Sequence, residues 1–303
     1  MIKRRALLMI NRHCRQGGAD PDAILRQFAA RGIAVEQISP AGEEETAAEI
    51  KARAGGVDLL VLGGGDGTLR SAAAAVLETG LPLGILPLGT ANDLARSLGI
   101  PTDPVAAVDV IADAVAHRID LGRVNGHYFF NAANIGVAVS ITKRLSHERK
   151  QRWGVLGYAR SMLEAWRDVR PFMAEIDCDG RVGYLRSVQI TIGNGRFYGG
   201  GMHVHEDAAI DDGRLDLYSI RPEPLWRFAA LLPALRFGRH HEREEVASLS
   251  GRRIAIRTSR PRMITADGEL VSRTPAVFEV VPAALAVYVP AVASAEGLKH
   301  AAH

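Results

Sequence analysis

The chain has 303 residues, of which 47% are hydrophobic and 23% charged, and its formal net charge is +3. This length and apolar content suffice to bury two modest cores, so we expect two domains. The small charge, and a sequence without a basic stripe interleaved with aromatic residues, argue against nucleic acid as a partner. The two cysteines, Cys14 and Cys178, lack metal-ligand spacing and do not indicate a disulfide framework, which fits a reducing cytoplasm.

The first part of the chain alternates predicted strands and helices. The predicted strands cover residues 6–10, 33–38 and 118–124, and the predicted helices cover residues 21–31, 43–54 and 105–116. Between residues 54 and 105 lie two further strand-loop-helix units. The alternation predicts a doubly wound parallel sheet with helices on its faces, and we assign it to an α/β domain over residues 1–125.

A glycine-rich turn follows an apolar strand at residues 61–68. Its glycines let the backbone approach a ligand, and a helix beginning at Thr68 directs its N-terminus toward the same anion. We expect Asp66 on an exposed loop, where a carboxylate repels phosphate unless a cation lies between them. Asp66 therefore indicates Mg2+ shared with a polyphosphate. A tight strand-to-helix turn and a dinucleotide-binding loop are the alternatives, although the third glycine of the dinucleotide pattern falls on Thr68.

A second loop of the same design comes next. The apolar strand over residues 81–88 leads into Gly89 and Thr90, and a helix starts near Asn92, with Thr90 or Asn92 as its N-cap. Two such units in sequence imply parallel neighbouring strands. Their loops then open at the same carboxyl edge of the sheet, where open α/β folds bind ligands.

The chain changes character after about residue 125. Short strand-like runs cover residues 184–192, 214–220, 253–258 and 276–281, which predicts a β-rich, sandwich-like domain over residues 126–282. Two helical patterns interrupt it, at Gly157–Val169 and Pro224–Arg236. The second carries a basic rim that includes Arg236, Arg239 and Arg243. Such a helix suits either peripheral contact with an anionic membrane surface or core packing with solvated ends.

Several stretches along most of the chain match one family. They are Gly64–Thr68, Pro87–Ala95, Phe130–Asn131, Asn194–Met202, Asp207–Ala208, Asp211–Asp216 and Asp267–Glu269. Together they resemble the bacterial lipid kinases that share the diacylglycerol kinase catalytic domain. The first stretch alone is also similar to loops of NAD kinases and phosphofructokinases, whereas the second loop and the Asn194–Met202 stretch are more specific. The resemblance also implies that the chain end, about residues 283–292, returns to the first domain.

The resemblance implies ATP as the phosphoryl donor, bound by the first domain. The implied ATP contacts are Asn11, Arg15, Ser39, Gly64, Gly65, Asp66, Gly67, Thr68, Leu69, Arg70 and Thr90. Three places depart from the family pattern. Only Asn11 matches the family's Asn-Pro-x-Ser-Gly loop, although Arg12 or Arg15 could supply positive charge there. Arg70 replaces a common asparagine, and Ser39 matches only loosely.

The resemblance also assigns metal and catalytic roles. Asp66 orients Mg2+ on the phosphates. A second, structural or regulatory Mg2+ is held by Asp212 with main-chain oxygens of Ala209 and Arg214, where the residues alone indicate only a β-turn. Glu269 is the implied proton acceptor for the lipid hydroxyl. It follows a predicted Asp267-Gly268 hairpin turn, which by itself needs no glutamate.

These assignments predict an ATP-dependent lipid kinase that phosphorylates a hydroxyl of a membrane lipid, with diacylglycerol as the first choice of substrate. A sphingoid-base or ceramide kinase is the alternative within the same fold. A nucleotide-regulated lipid-binding protein without turnover is the alternative of another class, and Asp66 with Glu269 argues against it, since binding needs no base. We expect a cytoplasmic protein that contacts membranes peripherally. The sequence leaves a homodimer open.

Overall fold

The structure, a computed structural model, describes residues 4–11, 20–40, 42–144, 170–205, 208–224 and 246–291. The predicted helix Gly157–Val169, all but the first residue of Pro224–Arg236, and Arg15 lie outside these ranges. Within them, the strands form one ten-stranded sheet, one six-stranded sheet and one two-stranded ribbon.

The first part of the chain has the predicted alternation of strands and helices. Its elements are β1 (Arg4–Ile10), α1 (Pro21–Ala30), β2 (Ile33–Ile38), α2 (Glu43–Arg53), β3 (Leu59–Gly64), α3 (Asp66–Thr79), β4 (Leu83–Pro87), α4 (Asp93–Ser97), α5 (Pro104–Asp113) and β5 (Ala116–Val124). The strands β2, β1, β3 and β4 are neighbours in that order and run parallel. Helix α5 ends before the predicted residue 116, because Ala114 is already extended and β5 begins two residues later.

Helices cover both faces of this parallel sheet. All six residues of β3 are buried, as expected for a parallel strand covered by helices on both faces. Helices α1 and α5 contact each other, and so do α2 and α3. Helices α1 and α5 each begin with an aspartate N-cap followed by proline, Asp20-Pro21 and Asp103-Pro104, which fixes their starting points.

The second part is antiparallel and β-rich. Its elements are β6 (His127–Phe129), β7 (Ala132–Gly136), α6 (Val137–Arg144), β8 (Phe172–Cys178), β9 (Arg181–Ser187), β10 (Gln189–Gly193), β11 (Phe197–Tyr198), β12 (Met202–His203), β13 (Leu215–Ile220), β14 (Val246–Gly251), β15 (Arg253–Thr258), β16 (Met263–Ala266), β17 (Glu269–Arg273) and β18 (Ala276–Tyr288). The predicted strand over 184–192 is two strands in different sheets, because the chain turns at Val188 between β9 and β10.

Strand β18 joins the two parts of the molecule. Its first half pairs antiparallel with β15, both of its halves pair antiparallel with β5, and Val287 near its end pairs parallel with Leu83 of β4. The predicted run over 276–281 and the chain end near residue 285 are therefore one long strand. A register shift between Val281 and Leu285 bends it, and Asp120 Oδ1 accepts the Ala283 N–H there at 2.7 Å.

The six-stranded sheet has the order β14, β13, β10, β7, β16, β17. One of its faces packs against β8, β15 and β18 of the large sheet through a buried apolar cluster that includes Ile192, Leu217, Ile254 and Phe278. The large sheet thus continues from the parallel α/β part into one wall of the second layer. The predicted architecture, an α/β part followed by an antiparallel, sandwich-like β part, is confirmed. In the described ranges, no helix is both long and apolar enough to cross a bilayer.

Candidate active site

The two predicted loops touch through their glycines at the carboxyl edge of the parallel sheet. A Cβ on Gly89 would lie 2.4 Å from the Gly65 Cα, so any side chain there would push the loops apart. Asn92 closes the second loop in a left-handed conformation (φ 49°), where Asn is one of the few residues tolerated. Its Oδ1 accepts the Gly89 N–H at 3.0 Å. Of the two predicted caps, Asn92 directly precedes α4, whereas Thr90 is exposed.

Asp66 lies at the first residue of α3, half-buried between the two loops. Its Oδ2 accepts the Asp93 N–H at 3.1 Å, and its Oδ1 accepts the Leu94 N–H at 3.0 Å and the Asn131 Nδ2–H at 3.2 Å. Asp66 is therefore half-buried at the start of a helix, and the prediction of an exposed loop position was wrong. The carboxylate receives the first amides of α4 because α4 begins against it, so Asp66 ties three chain segments together.

Asp93 is a second carboxylate at this junction. It is 4% exposed, and its Oδ2 accepts the Gly200 N–H at 2.8 Å. Gly200 lies in a loop of three glycines, Gly199 to Gly201, that all have positive φ. Burial raises the pKa of Asp93 above its usual range, and the nearby charge of Asp66 raises it further, while the Gly200 amide and Arg96 act in the opposite direction. Asp93 Oδ1 is buried without a hydrogen-bond partner.

Asp267 occupies the turn between β16 and β17, as predicted. The turn has φ values of 45° at Asp267 and 82° at Gly268, the conformation in which Asp-Gly is favoured. Its carboxylate accepts three main-chain N–H groups, from Phe130 at 2.7 Å, Asn131 at 3.0 Å and Ala132 at 3.2 Å. Burial nevertheless raises the pKa of Asp267 to about 6, because desolvation outweighs those three donors.

The predicted phosphate loop leaves main-chain amides uncapped at the start of α3. Gly65 precedes α3 without a side-chain cap, which leaves first-turn amides available for a ligand. Gly67 is exposed, and a Cβ there would meet nothing within 4 Å. The helix begins at Asp66, two residues earlier than predicted. Asn11 donates its Nδ2–H to Thr68 Oγ1 at 3.1 Å, so β1 contributes to the same edge.

The other predicted nucleotide contacts are placed less uniformly. Leu69 is 2% exposed within the core, so its side chain packs rather than faces a ligand. Arg70 Nε is buried without a hydrogen-bond partner, and its guanidinium lies 3.6 Å from Glu43 at the start of α2. Ser39 follows β2 at the same sheet edge and is half-buried. The nucleotide contacts of these residues stay a prediction.

The predicted second metal turn brings Asp212 against the main chain of Ala209 and Arg214. Its carboxylate accepts their N–H groups at 3.3 and 3.2 Å. The Arg214 guanidinium lies 3.2 Å from Asp212 and 3.7 Å from Asp216, so a side-chain cation already faces these carboxylates. Burial raises the pKa of Asp212 to about 6, although Arg214 lowers it. An ion at this turn stays a prediction. Nowhere in the described part of the chain do three or more His, Cys, Asp or Glu side chains group around a metal position.

Glu269 is the first residue of β17 and is exposed, directly after the Asp267-Gly268 turn. Through Asp267, the same hairpin binds residues 130–132, where the chain passes from β6 to β7, called here the 130–132 crossing. Asn131 in that crossing binds Asp66. Asp267, two residues before Glu269, is thus linked to Asp66 through Asn131. Its carboxylate is accessible to a substrate, whereas the Asp267 oxygens are occupied by amides.

The sequence predicts no role for two residues of this site, Asp93 and Asn131, although both lie in stretches that resemble the family. Both are almost fully buried and each binds across the junction. The signal available in the sequence was a carboxylate and an amide at loop ends, which also suits ordinary helix and turn caps. Only the contact with Asp66 distinguishes a residue of this site from an ordinary cap.

Comparisons with known proteins match both parts of the chain. A model described as "Diacylglycerol kinase catalytic domain" matches residues 5–124, and one described as "YegS C-terminal NAD kinase beta sandwich-like domain" matches residues 131–289. A Pseudomonas fluorescens protein named "Probable lipid kinase YegS-like" is 34% identical over 96% of this chain and 97% of its own length. The "Diacylglycerol kinase" of Bacillus subtilis is 31% identical over 73% and 74% of the two chains.

Solved structures agree on the fold. A crystal structure of a diacylglycerol kinase from Bacillus anthracis str. Sterne superposes with a TM-score of 0.75 at 22% identity, over 95% of this chain and 97% of the other. A second protein of that strain superposes with a TM-score of 0.81 at 25% identity, over 95% and 96% of the two chains.

The open space beside Gly67 gives a first prediction. Gly67→Ala should leave the protein folded, and raise its free energy of unfolding by up to about 1 kcal/mol, because alanine is the better helix former. The added methyl occupies space that a phosphate would approach, so affinity for MgATP should fall at least about tenfold. Thermal melting and equilibrium binding of a fluorescent ATP analogue measure the two effects.

Gly89→Ala is the matched control, since its Cβ would strike the Gly65 backbone at 2.4 Å. It should lower the melting temperature, the opposite of the Gly67 result. Unchanged nucleotide affinity in a folded Gly67→Ala variant would show that no phosphate approaches this loop.

Asp267 gives a prediction about pH. Its folded pKa of about 6 lies above the ordinary value of 3.8, so the folded protein holds this proton more tightly than the unfolded chain. The free energy of unfolding should therefore rise as pH falls through 6 toward 4, with Asp267 contributing at most about 3 kcal/mol. In Asp267→Asn, which keeps an allowed turn residue, that contribution should be missing. Denaturant unfolding from pH 7.5 to 4.5 compares them, and parallel pH profiles would contradict the burial argument.

Proposed function

Because the chain belongs to the family of bacterial lipid kinases that carries the diacylglycerol kinase catalytic domain, we propose that it transfers the γ-phosphoryl group of ATP to a hydroxyl of a membrane lipid. Diacylglycerol is the favoured substrate, with phosphatidic acid as the product. In this proposal residues 1–125, with the chain end at 283–292, bind the nucleotide, and residues 126–282 bind the lipid.

The observation that carries the proposal is the Asp66 junction. It places a carboxylate at the N-terminus of α3, beside a glycine loop open to an anion, and directly at the boundary to the β-rich part. Phosphoryl transfer depends on positioning and charge stabilisation around the transferred group, and a carboxylate that holds Mg2+ at this position would serve both.

The oxygen atoms around Asp66 fit Mg2+. Carboxylate and amide oxygens are its preferred protein donors, and it is usually bound through one or two carboxylates together with substrate phosphates. Asp93 Oδ1 and Asn131 Oδ1 are buried beside Asp66 without hydrogen-bond partners, as expected where a ligand supplies the missing contact. When bound, the ion would neutralise charge on the phosphates. Asp66 would hold it, and the α3 amides would orient the phosphate oxygens.

Glu269 is the proposed proton acceptor. A lipid hydroxyl is too weak an acid to attack unaided, so a carboxylate within reach must take its proton as the oxygen attacks phosphorus. Glu269 is exposed at the edge of the hairpin and can meet a substrate, which supports it over Asp267. Asp267 holds the 130–132 crossing in place, and using it as a base would release three amides.

The lipid itself is defined only by class. A sphingoid base or ceramide presents the same hydroxyl chemistry and is the second candidate. We propose that the protein meets its substrate by peripheral contact with an anionic membrane surface from the cytoplasmic side, through the basic side chains near Pro224–Arg236, which lie outside the described residues.

The decisive experiment incubates the protein with labelled ATP, Mg2+ and a total bacterial membrane lipid extract. Mass spectrometry then identifies any phosphorylated product. Phosphatidic acid as the main product supports the proposal, and a phosphorylated sphingoid lipid, from an extract supplemented with sphingosine and ceramide, would support the second candidate. ATP binding without any phosphorylated lipid would point to the non-catalytic, lipid-binding alternative.

Substitution of Glu269 tests the proton acceptor. Glu269→Gln keeps shape and removes basicity, so kcat should fall by about a hundredfold to ten-thousandfold while ATP affinity and melting temperature stay within error. Glu175→Gln is the matched control, since it removes a part-exposed glutamate from β8 in the other sheet. Normal kcat in Glu269→Gln would assign the base elsewhere.

Asp66→Asn tests the metal anchor. The amide replaces a charged ligand, so kcat should fall at least about a hundredfold, the equivalent of several kcal/mol of lost charge stabilisation. The melting temperature should also fall by a few degrees, because the amide cannot accept all three donors of the junction. A fully active variant would remove Asp66 from the mechanism.

A further inference from the structure

The nitrogen and the oxygen of the Asn131 side-chain amide differ in their hydrogen bonding. Its Nδ2–H donates to Asp66 Oδ1 at 3.2 Å, and its Oδ1 is buried without a hydrogen-bond partner. The residue is 4% exposed. An unpaired buried oxygen costs about 1–3 kcal/mol, so it is expected where a ligand completes the bond.

The orientation of this amide is fixed by its neighbours. A flipped amide would place Oδ1 against the Asp66 carboxylate, which offers no proton, and would lose the bond that Nδ2 now makes. The main chain of Asn131 is fixed as well. Its N–H donates to Asp267 at 3.0 Å, and its carbonyl accepts the Asn194 N–H at 2.9 Å. Oδ1 is therefore held in one position beside Asp66.

The surroundings of Oδ1 define what it can bind. The carboxylates that interact electrostatically at this junction are Asp66, Asp93 and Asp267, which together make it negative. An anion is repelled there unless a cation lies between. An amide oxygen binds a cation or a proton donor, and the proposed reaction supplies three such partners: the Mg2+ ion, a water on that ion or the hydroxyl of the lipid.

We propose that Asn131 is a positioning residue for phosphoryl transfer, which orients the Asp66 carboxylate through Nδ2 and binds either Mg2+ or an O–H group of the reactants through Oδ1. This inference rests on the proposed kinase function. It assigns to the β-rich part of the chain a direct hold on the carboxylate of the α/β part. The arrangement of the site then depends on one amide that contacts both the Asp66 carboxylate and a reactant.

The test uses Asn131→Ala in the full-length protein, with Asn194→Ala as the matched control. Asn194 is equally buried and its Oδ1 also lacks a partner, but its amide donates only to the main-chain oxygens of Asp120 and Phe130. We expect both variants to lose stability. Only Asn131→Ala should lower kcat at least tenfold beyond the control, because it alone loosens Asp66.

Two further readings identify the partner of Oδ1. Binding of a fluorescent, non-hydrolysable ATP analogue is titrated with Mg2+, and KM and kcat are measured for the lipid. A raised Mg2+ requirement for analogue binding assigns Oδ1 to the Mg2+ ion or a water bound to it. An unchanged Mg2+ titration with reduced kcat and raised lipid KM assigns it to the lipid hydroxyl. If Asn131→Ala does not fold, Asn131→Ser, which keeps a polar group but cannot span to Asp66, replaces it.

The inference is overturned if all three readings of the Asn131 variant lie within twofold of the Asn194 control. Failure of the proposed function is a separate result, since the wild type would then phosphorylate no lipid. In that case the Mg2+ titration of analogue binding still decides whether Asn131 acts on the Asp66 site.

Discussion

The Asp66 carboxylate is the constraint on which the rest of the site depends. A half-buried carboxylate needs donors, and it finds them in the first amides of α4 and in the Asn131 side chain. The two loops can meet it only because Gly65 and Gly89 bring their backbones into contact. Sequence positions 66, 93 and 131, which lie far apart along the chain, thereby form one unit.

The same principle recurs where the two parts of the molecule join. Asp93 binds the Gly200 amide, Asp267 binds the 130–132 crossing, and Asp120 binds the amides of Gly213 and Ala283. Each is a carboxylate that accepts main-chain N–H groups, and such charge-assisted bonds are stronger than neutral ones. Strand β18 belongs to both halves of the large sheet. Together with it, these carboxylates fix the junction at which a nucleotide and a lipid hydroxyl would meet.

Most of the fold could be predicted from local signals in the sequence. Apolar runs and caps placed β2, β15 and the Asp267-Gly268 turn, because these depend on neighbours in sequence. The break at Val188 was missed, since a continuous strand pattern does not show that the chain changes sheets. The glycine loops were predicted at the carboxyl edge of the sheet for the same local reason, and a phosphate there stays a prediction. The burial of Asp66 and the roles of Asp93 and Asn131 arise from contacts between distant segments, which no spacing rule encodes.

The central claim is that Asp66 holds both sides of the cleft at once. Hydrogen exchange of the Asp66→Ala variant, followed by mass spectrometry, measures this directly, because exchange reports local opening of hydrogen-bonded amides. The account predicts faster exchange in two separated segments together, the start of α4 at Asp93–Leu94 and the crossing at residues 130–132, with β1 and β15 unchanged. Faster exchange at α4 alone, with the crossing as protected as in the wild type, would contradict it.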